Sequence, residues 1–265
     1  MLINFVKMHG LGNDFVIIEK TSELKSLDLS LLAKKISNRH TGIGCDQVIL
    51  YEATDLNACN MSIYNQDGQE AEACGNGTRC LAKLIGKQAS IINVMDRILN
   101  CTLLEDGRVT VNMGPVSFNK PWMPEISEIW KISSLYKLEP KEIICADIGN
   151  PHLIIFNSDL SIEDQKLLGQ TFEHNKLFPQ GVNVNFAKIN NNNIDLIVWE
   201  RGDGFTLACG SGACATFAAA KKLGFVSDKA IVNFKLGSLE MSSFDESVLM
   251  TGPAEVVAKG SYQYD

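Results

Sequence analysis

The chain is written twice. The phrase Cys74-Gly75-Asn76-Gly77 returns 135 positions later as Cys209-Gly210-Ser211-Gly212. His9-Gly10-Leu11-Gly12-Asn13-Asp14 leads into the apolar run 15–18, and Gly149-Asn150-Pro151-His152 leads into the run 153–155, with 137 positions between Asn13 and Asn150. Asp28-Leu29-Ser30 precedes the helical spacing Leu31, Leu32, Lys35, Ile36, and Asp159-Leu160-Ser161 precedes Lys166, Leu167, Leu168, Phe172. Ser161 with Asp164 has the form of a capping box. Gly44-Cys45-Asp46-Gln47 matches Gly181-Val182-Asn183-Val184, and Gly114-Pro115 matches Gly252-Pro253 at an offset of 138. A series of matches in constant order and at nearly constant offset implies two copies of one design, so each copy must build the same supersecondary unit.

The elements between these phrases are short and β-branched. Strands are expected at 2–7, 15–18, 91–94, 109–112, 143–145, 194–198 and 230–234. One long helix should follow each Cys-Gly. The second, over 213–223, is apolar nearly all round and therefore buried, with Gly86 and Gly224 as stops. Pro115, Pro121 and Pro124 mark a seam at 117–130. The halves are then 1–117 and 118–253, and the tail 254–265 forms a last strand grouped with the first half. The expected class is α/β: two pseudo-symmetric halves, each a β-sheet wrapped around a central helix, with the active site in the cleft between them.

Composition narrows the chemistry. The chain has 265 residues, 45% of them apolar, and a net charge of −7 with its Lys and Arg scattered. That excludes nucleic acid and anionic membranes as expected partners. No apolar run approaches the roughly 20 residues of a membrane helix, and the N-terminus lacks the shape of a signal peptide, so a cytoplasmic location is expected. The 8 Cys contain no Cys-x-x-Cys, and the 4 His lie away from them. Free thiols and no metal are the expectation.

Two cysteines at two helix starts suggest acid–base chemistry. The first turn of a helix carries free N–H groups and partial positive charge, which biases a Cys there towards thiolate, below its ordinary value of about 8.5. The N–H groups of Gly75, Asn76, Gly210 and Ser211 can bind a carboxylate. With the two starts opposed, one sulfur removes an α-proton and the other returns one to the far face, while both sets of N–H groups hold the developing charge. That is stereoinversion of an amino acid without a cofactor. The bland alternatives are two buried thiols and two phosphate-binding turns, although neither turn has P-loop or dinucleotide spacing.

At Ala73-Cys74-Gly75-Asn76-Gly77, at Gly149-Asn150-Pro151-His152, at Glu200-Arg201-Gly202 with Ala208-Cys209-Gly210-Ser211-Gly212, and at His9 to Phe15, the chain resembles the diaminopimelate epimerases over essentially its whole length. The resemblance implies a homodimeric enzyme, independent of pyridoxal phosphate and of metal. It interconverts LL- and meso-diaminopimelate, a small-molecule amino acid substrate, on the bacterial route to lysine and peptidoglycan. Carried over, Cys74 and Cys209 are the acid–base pair, and His152 and Glu200 tune them. Gly75, Asn76, Gly210 and Ser211 bind the reacting carboxylate. Asn13, Gln47, Asn65, Asn150, Asn183, Glu200 and Arg201 complete the substrate contacts, Arg201 suiting a distal carboxylate by its fork geometry. Other racemases on the same scaffold, and a non-catalytic anion binder, are the rival readings, and a small monocarboxylate would need no Arg201. Three positions depart from the family's pattern: Phe205 where Glu is usual, Ser211 for Thr, and Ala258 for a Tyr linked to dimer packing. Asn65 and Gln66 stand where the second copy has Glu200 and Arg201, so the halves differ in charge at that point.

Overall fold

A computed structural model describes residues 1–71, 74–136, 138–156 and 159–264; Ala73 of the first cysteine motif and Asp265 of the tail lie outside these. The chain divides into two compact units, Met1–Asn112 with Thr251–Asp265, and Met113–Met250.

In the first unit β1 (Leu2–Gly10) turns back antiparallel into β2 (Asn13–Glu19). Helix α1 (Leu29–Ser37) crosses to β3 (Gln47–Asp55), which runs parallel to β2. Asp28 caps α1 by accepting the Leu31 N–H, as its residue type favours. Strand β4 (Ala58–Asn65) returns antiparallel to β3 and is followed by the short β5 (Glu70–Ala71). Helix α2 (Gly75–Ile85) then crosses to β6 (Ala89–Val94), parallel to β4, and β7 (Arg97–Leu103) and β8 (Val109–Pro115) follow.

Both faces of this sheet are covered, which explains why its strands read as continuous apolar runs. Val16, Ile18, Val48 and Leu50 pack with Leu32 and Ile36 of α1. Phe15 and Ile49 point the other way, onto α2. A Cβ added at Gly77 would lie 2.8 Å from Ile49 Cδ1 and 3.3 Å from Phe15 Cε1, so glycine there sets how closely α2 approaches the sheet.

The second unit repeats the plan. After helix α3 (Ile126–Ser133), β9 (Ile143–Asp147) pairs antiparallel with β10 (Pro151–Phe156). Helix α4 (Ile162–Glu173), capped by Ser161, crosses to the parallel β11 (Asn183–Asn190), and β12 (Asn193–Glu200) and β13 (Gly204–Phe205) follow antiparallel. Helix α5 (Gly210–Lys222) crosses to β14 (Lys229–Phe234), parallel to β12, and β15 (Gly237–Phe244) and β16 (Ser247–Gly252) follow. The last strand, β17 (Glu255–Gln263), leaves this plan and pairs antiparallel with β1.

The duplication is therefore topological as well as verbal, and strand register decides what faces each central helix. Phe15 pairs with Gln47 and Ile17 with Ile49 in the first copy; His152 pairs with Asn183 and Ile154 with Asn185 in the second. The slots that hold Phe15 and Ile49 against α2 hold the polar His152 and Asn185 on α5. One element differs from expectation: α3 occupies part of the proline-marked seam. Its Ile129 is fully buried in a cluster with Leu168 and Phe172, and prolines at 121 and 124 precede the helix without interrupting it. Among the described residues, no helix is long and apolar enough to cross a membrane.

Candidate active site

Cys74 and Cys209 are the N-caps of α2 and α5, each in extended backbone just before the first turn. The free N–H groups of that turn open beside each sulfur. All eight cysteines are thiols; Cys74 is half-buried and the other seven are buried.

In the first unit the expected residues gather at one end of the sheet. Asn13 opens β2, Gln47 opens β3 and Asn65 closes β4. The Cys74 thiol donates to Asn13 Oδ1 at 3.7 Å, and Asn76 Nδ2 donates to the same oxygen at 3.2 Å. Gln47 and Asn65 are directly opposed across β3 and β4, with Gln47 Nε2 donating to Asn65 Oδ1 at 2.9 Å. Gln47 Oε1 is buried without a hydrogen-bond donor, which costs free energy unless a ligand supplies one.

In the second unit Cys209 Sγ accepts from Gly212 N at 3.3 Å and lies 3.4 Å from Ser211 Oγ. Ser211 Oγ lies 3.1 Å from His152 Nε2 and accepts from Asn150 Nδ2 at 3.3 Å. His152 Nδ1 lies 3.3 Å from Asn185 Oδ1. Because Asn185 Nδ2 donates to Gly212 O and to Thr216 Oγ1, its Oδ1 must be the acceptor. Nδ1 therefore donates to Asn185, while Nε2 lies between Ser211 Oγ and Asn150 Oδ1, 3.1 Å from each. Cys209, Ser211, His152 and Asn185 thus form one hydrogen-bonded file. His152 reaches the sulfur through Ser211 and does not contact it directly.

Thiolate bias from the helix start does not prevail at Cys209. Burial first, and the neighbouring Glu200 carboxylate second, push its thiol well above the ordinary value, outweighing the hydrogen bonds from Ser211 and Gly212. The partial charge at a helix end is worth at most about 2 kcal/mol, and desolvation of a buried thiolate exceeds that. Cys209 is a thiol at neutral pH in this form.

Burial also holds His152 down to about 4, from an ordinary 6.5. The folded state then refuses a proton that the unfolded chain accepts, so stability is unaffected above pH 6.5 and is lost as pH falls from 6.5 towards 4. The loss should reach up to roughly 3 kcal/mol. Asp14, held at about 2 by its Arg39 and Lys7 hydrogen bonds against the opposing effect of burial, acts only at lower pH. Urea unfolding at pH 7 and pH 4.5 should show a larger drop for the native chain than for His152→Gln; equal drops would contradict this assignment.

Glu200 accepts a hydrogen bond from Thr206 Oγ1. Asn183 is engaged at both ends of its amide, Nδ2 donating to Pro151 O at 2.9 Å and Oδ1 accepting Arg201 N at 3.0 Å. It therefore holds the Arg201 backbone. The Arg201 guanidinium donates to Gln180 O at 2.7 Å and borders a cavity of about 440 Å³, lined otherwise by the 173–181 segment and Gly202. Buried Glu173 accepts both Trp199 Nε1 and Gly202 N at 2.7 Å, clamping the chain on either side of Glu200 and Arg201. Phe205 packs edge-on to Trp199, ring centroids 5.1 Å apart; an aromatic contact stands where a charge was expected. Glu173, Asn185, Thr206 and Arg79 were not singled out by sequence reasoning. For Asn185 a signal existed, since a polar residue replaces Ile49 at the duplicated position. Among the described residues no group of three or more His, Cys, Asp or Glu is placed to hold a metal.

The fold has solved counterparts. A predicted epimerase from Pseudomonas aeruginosa superposes with a TM-score of 0.73 at 13% identity, over 99% of this chain and 100% of that one. A phenazine biosynthesis protein from Bacillus anthracis superposes with a TM-score of 0.73 at 15% identity, over 100% of both chains. These likenesses define the fold class: the two-unit α/β architecture of that group. The family model for diaminopimelate epimerase matches residues 5–119 and 144–257. A diaminopimelate epimerase of Rickettsia akari is 52% identical over 99% of this chain and 98% of its own length. The chain belongs to the diaminopimelate epimerase family.

Proposed function

We propose that this protein interconverts LL- and meso-2,6-diaminopimelate, with Cys74 and Cys209 as the acid–base pair and without cofactor or metal. The observation that carries the reading is a thiol at the N-cap of the central helix in each copy of a duplicated fold, in a chain of this family. The reacting carboxylate is held by the N–H groups of Gly75, Asn76, Gly210 and Ser211. This requires the two helix starts to meet on one substrate. Glu200 acts on Cys209 directly, and His152 acts through Ser211. A substrate ammonium satisfies the unpaired Gln47 Oε1, near Asn65, and Asn13 and Asn150 supply further amide contacts. Arg201, held by Asn183, takes the distal carboxylate, which a monocarboxylate would leave empty.

The reaction belongs to lysine and peptidoglycan precursor biosynthesis, in the cytoplasm. A homodimer is part of the same reading. β17 is exposed along nearly its whole length, with Val256 49% and Val257 56% exposed beside Ala258, and these adjacent exposed apolar side chains favour a second copy as their cover.

Incubation with LL-diaminopimelate in heavy water is expected to place deuterium at one inverted α-carbon per turnover and to build up the meso isomer. Inversion with retention of the original hydrogen would sink the two-thiol mechanism. Light scattering on the same sample should report twice the chain mass; a monomer would remove the dimer from the reading.

A further inference from the structure

The charge least expected in the first unit is Arg79, which is fully buried within α2. Its Nη2 donates to Asn76 Oδ1 at 2.9 Å and its Nε to Pro253 O at 3.2 Å. A guanidinium has only donors, so it fixes which way the Asn76 amide lies: oxygen towards Arg79, Nδ2 away. That Nδ2 meets Asn13 Oδ1 at 3.2 Å. At the other end, Asn13 Nδ2 donates to Asp46 Oδ2 at 3.0 Å, and a carboxylate only accepts. A cation at one end and an anion at the other therefore set both amides in one orientation. The oxygen of Asn13 is turned to Cys74, 3.7 Å away. A carbonyl oxygen stabilises a thiol, which donates to it, and opposes a thiolate.

We propose that Arg79 is a positioning residue of the reaction: acting through Asn76 and Asn13, it holds Cys74 as a thiol in the free protein, so that the thiolate which takes the α-proton forms only when bound substrate displaces the Asn13 oxygen and the thiol proton leaves to solvent. The inference rests on the epimerase reading for its purpose, but its test does not. Of the ionisable groups on the neighbouring elements, Lys7 pairs with Asp14, His9 lies 3.6 Å from Glu255, and Cys80 is buried within α2. Asp14 and Asp46 are already paired with Arg39.

Charge alone and orientation alone make opposite forecasts. Removing a nearby cation should raise the Cys74 pKa and slow its alkylation. Releasing Asn76 should lower the pKa, because its N–H groups can then turn to the sulfur while Asp46 still holds Asn13. The probe is iodoacetamide on the full chain, with labelling of the Cys74 peptide followed from pH 6.5 to 10 by mass spectrometry. In Arg79→Met the labelling midpoint should fall and the rate at pH 7 rise roughly fivefold. Arg79→Lys, which keeps a donor-only cation, should stay near the native midpoint. A midpoint that rises or stays fixed in Arg79→Met overturns the proposal. Should Arg79→Met fail to fold, Asn13→Leu decides: a lower midpoint supports the role of the Asn13 oxygen, and an unmoved or higher one removes it. None of these readouts depends on diaminopimelate. Failure of the epimerase reading would appear instead as absent inversion in heavy water.

Discussion

Alanine at Cys209 is expected to lower the rate of epimerisation by about 10³-fold or more while leaving the protein folded. General acid–base catalysis by one positioned group contributes about 10²- to 10⁴-fold, and the neighbours of Cys209 are poor substitutes: Glu200, beside the sulfur, is a weakly basic carboxylate held by Thr206 Oγ1. Ser211 carries a hydroxyl too weakly acidic for the task, and His152 is neutral, buried and one residue removed from the sulfur. The structural cost is small. Gly212 N loses its acceptor at 3.3 Å, worth about 1 kcal/mol. Alanine at Cys74 should act alike on the rate. Each single variant should still exchange the α-hydrogen of the isomer that presents it to the surviving sulfur, without inverting it. Chiral chromatography of the product, beside circular dichroism melting, measures both parts. If either variant kept more than a tenth of the native rate, two-thiol catalysis would be lost.

The two cysteine clusters were unequally legible in the sequence. The cysteine turns and the asparagines at the strand ends could be read because the duplication repeats them in order. Asn13 matches Asn150 in sequence, whereas Gln47, set against Val184 by the repeated phrases, corresponds to Asn183 only by strand register. Burial could not be read from the same phrases. Cys209 follows the same helix-start rule as Cys74, yet its thiol is raised because the sulfur is buried beside Glu200. No local pattern carries that information. His152 was read as a residue tuning a thiol, but its route through Ser211 needs the β10–β11 register, which sets Asn185 beside Ile154. The departure from threonine at Ser211 is mild for a side-chain reason, since the hydroxyl joins Cys209 to His152 and both residue types carry one.

Around the two central helices the copies differ in chemistry rather than in topology. Phe15 and Ile49 fill the space under α2 with hydrocarbon, whereas His152 and Asn185 fill it under α5 with a polar file. Cys74 consequently faces an amide oxygen set by Arg79 and Asp46, while Cys209 faces a hydroxyl backed by a neutral imidazole. A duplicated scaffold supplies two equivalent helix starts, and these substitutions make the two thiols inequivalent. Glu200 and Arg201, with no charged counterparts in Asn65 and Gln66, extend that inequivalence to the charge of the two units.

Holding Glu200 and Arg201 in place falls to α4, and Glu173→Gln is the variant that should expose it. The native carboxylate accepts two N–H groups, from Trp199 Nε1 and Gly202 N, both at 2.7 Å. Glutamine has the same shape but one oxygen, so its NH₂ must face one of those donors. A buried N–H is then left unpaired and opposed by another, at a cost of about 2 to 3 kcal/mol. There is no room to escape the clash by shifting Trp199. One turn earlier on α4, a Cβ at Gly169 would already lie 2.5 Å from Trp199 Cγ. If the unit unfolds cooperatively, the melting temperature should fall by roughly 5 to 10 °C. Gly202, held at φ of 90°, should lose its anchor, and Arg201 with it. The KM for diaminopimelate should then rise more than kcat falls, as expected when a binding contact rather than the acid–base pair is disturbed. Differential scanning calorimetry with steady-state kinetics reads both. An unchanged melting temperature, or a loss confined to kcat, would mean that Glu173 does not position the Glu200–Arg201 segment.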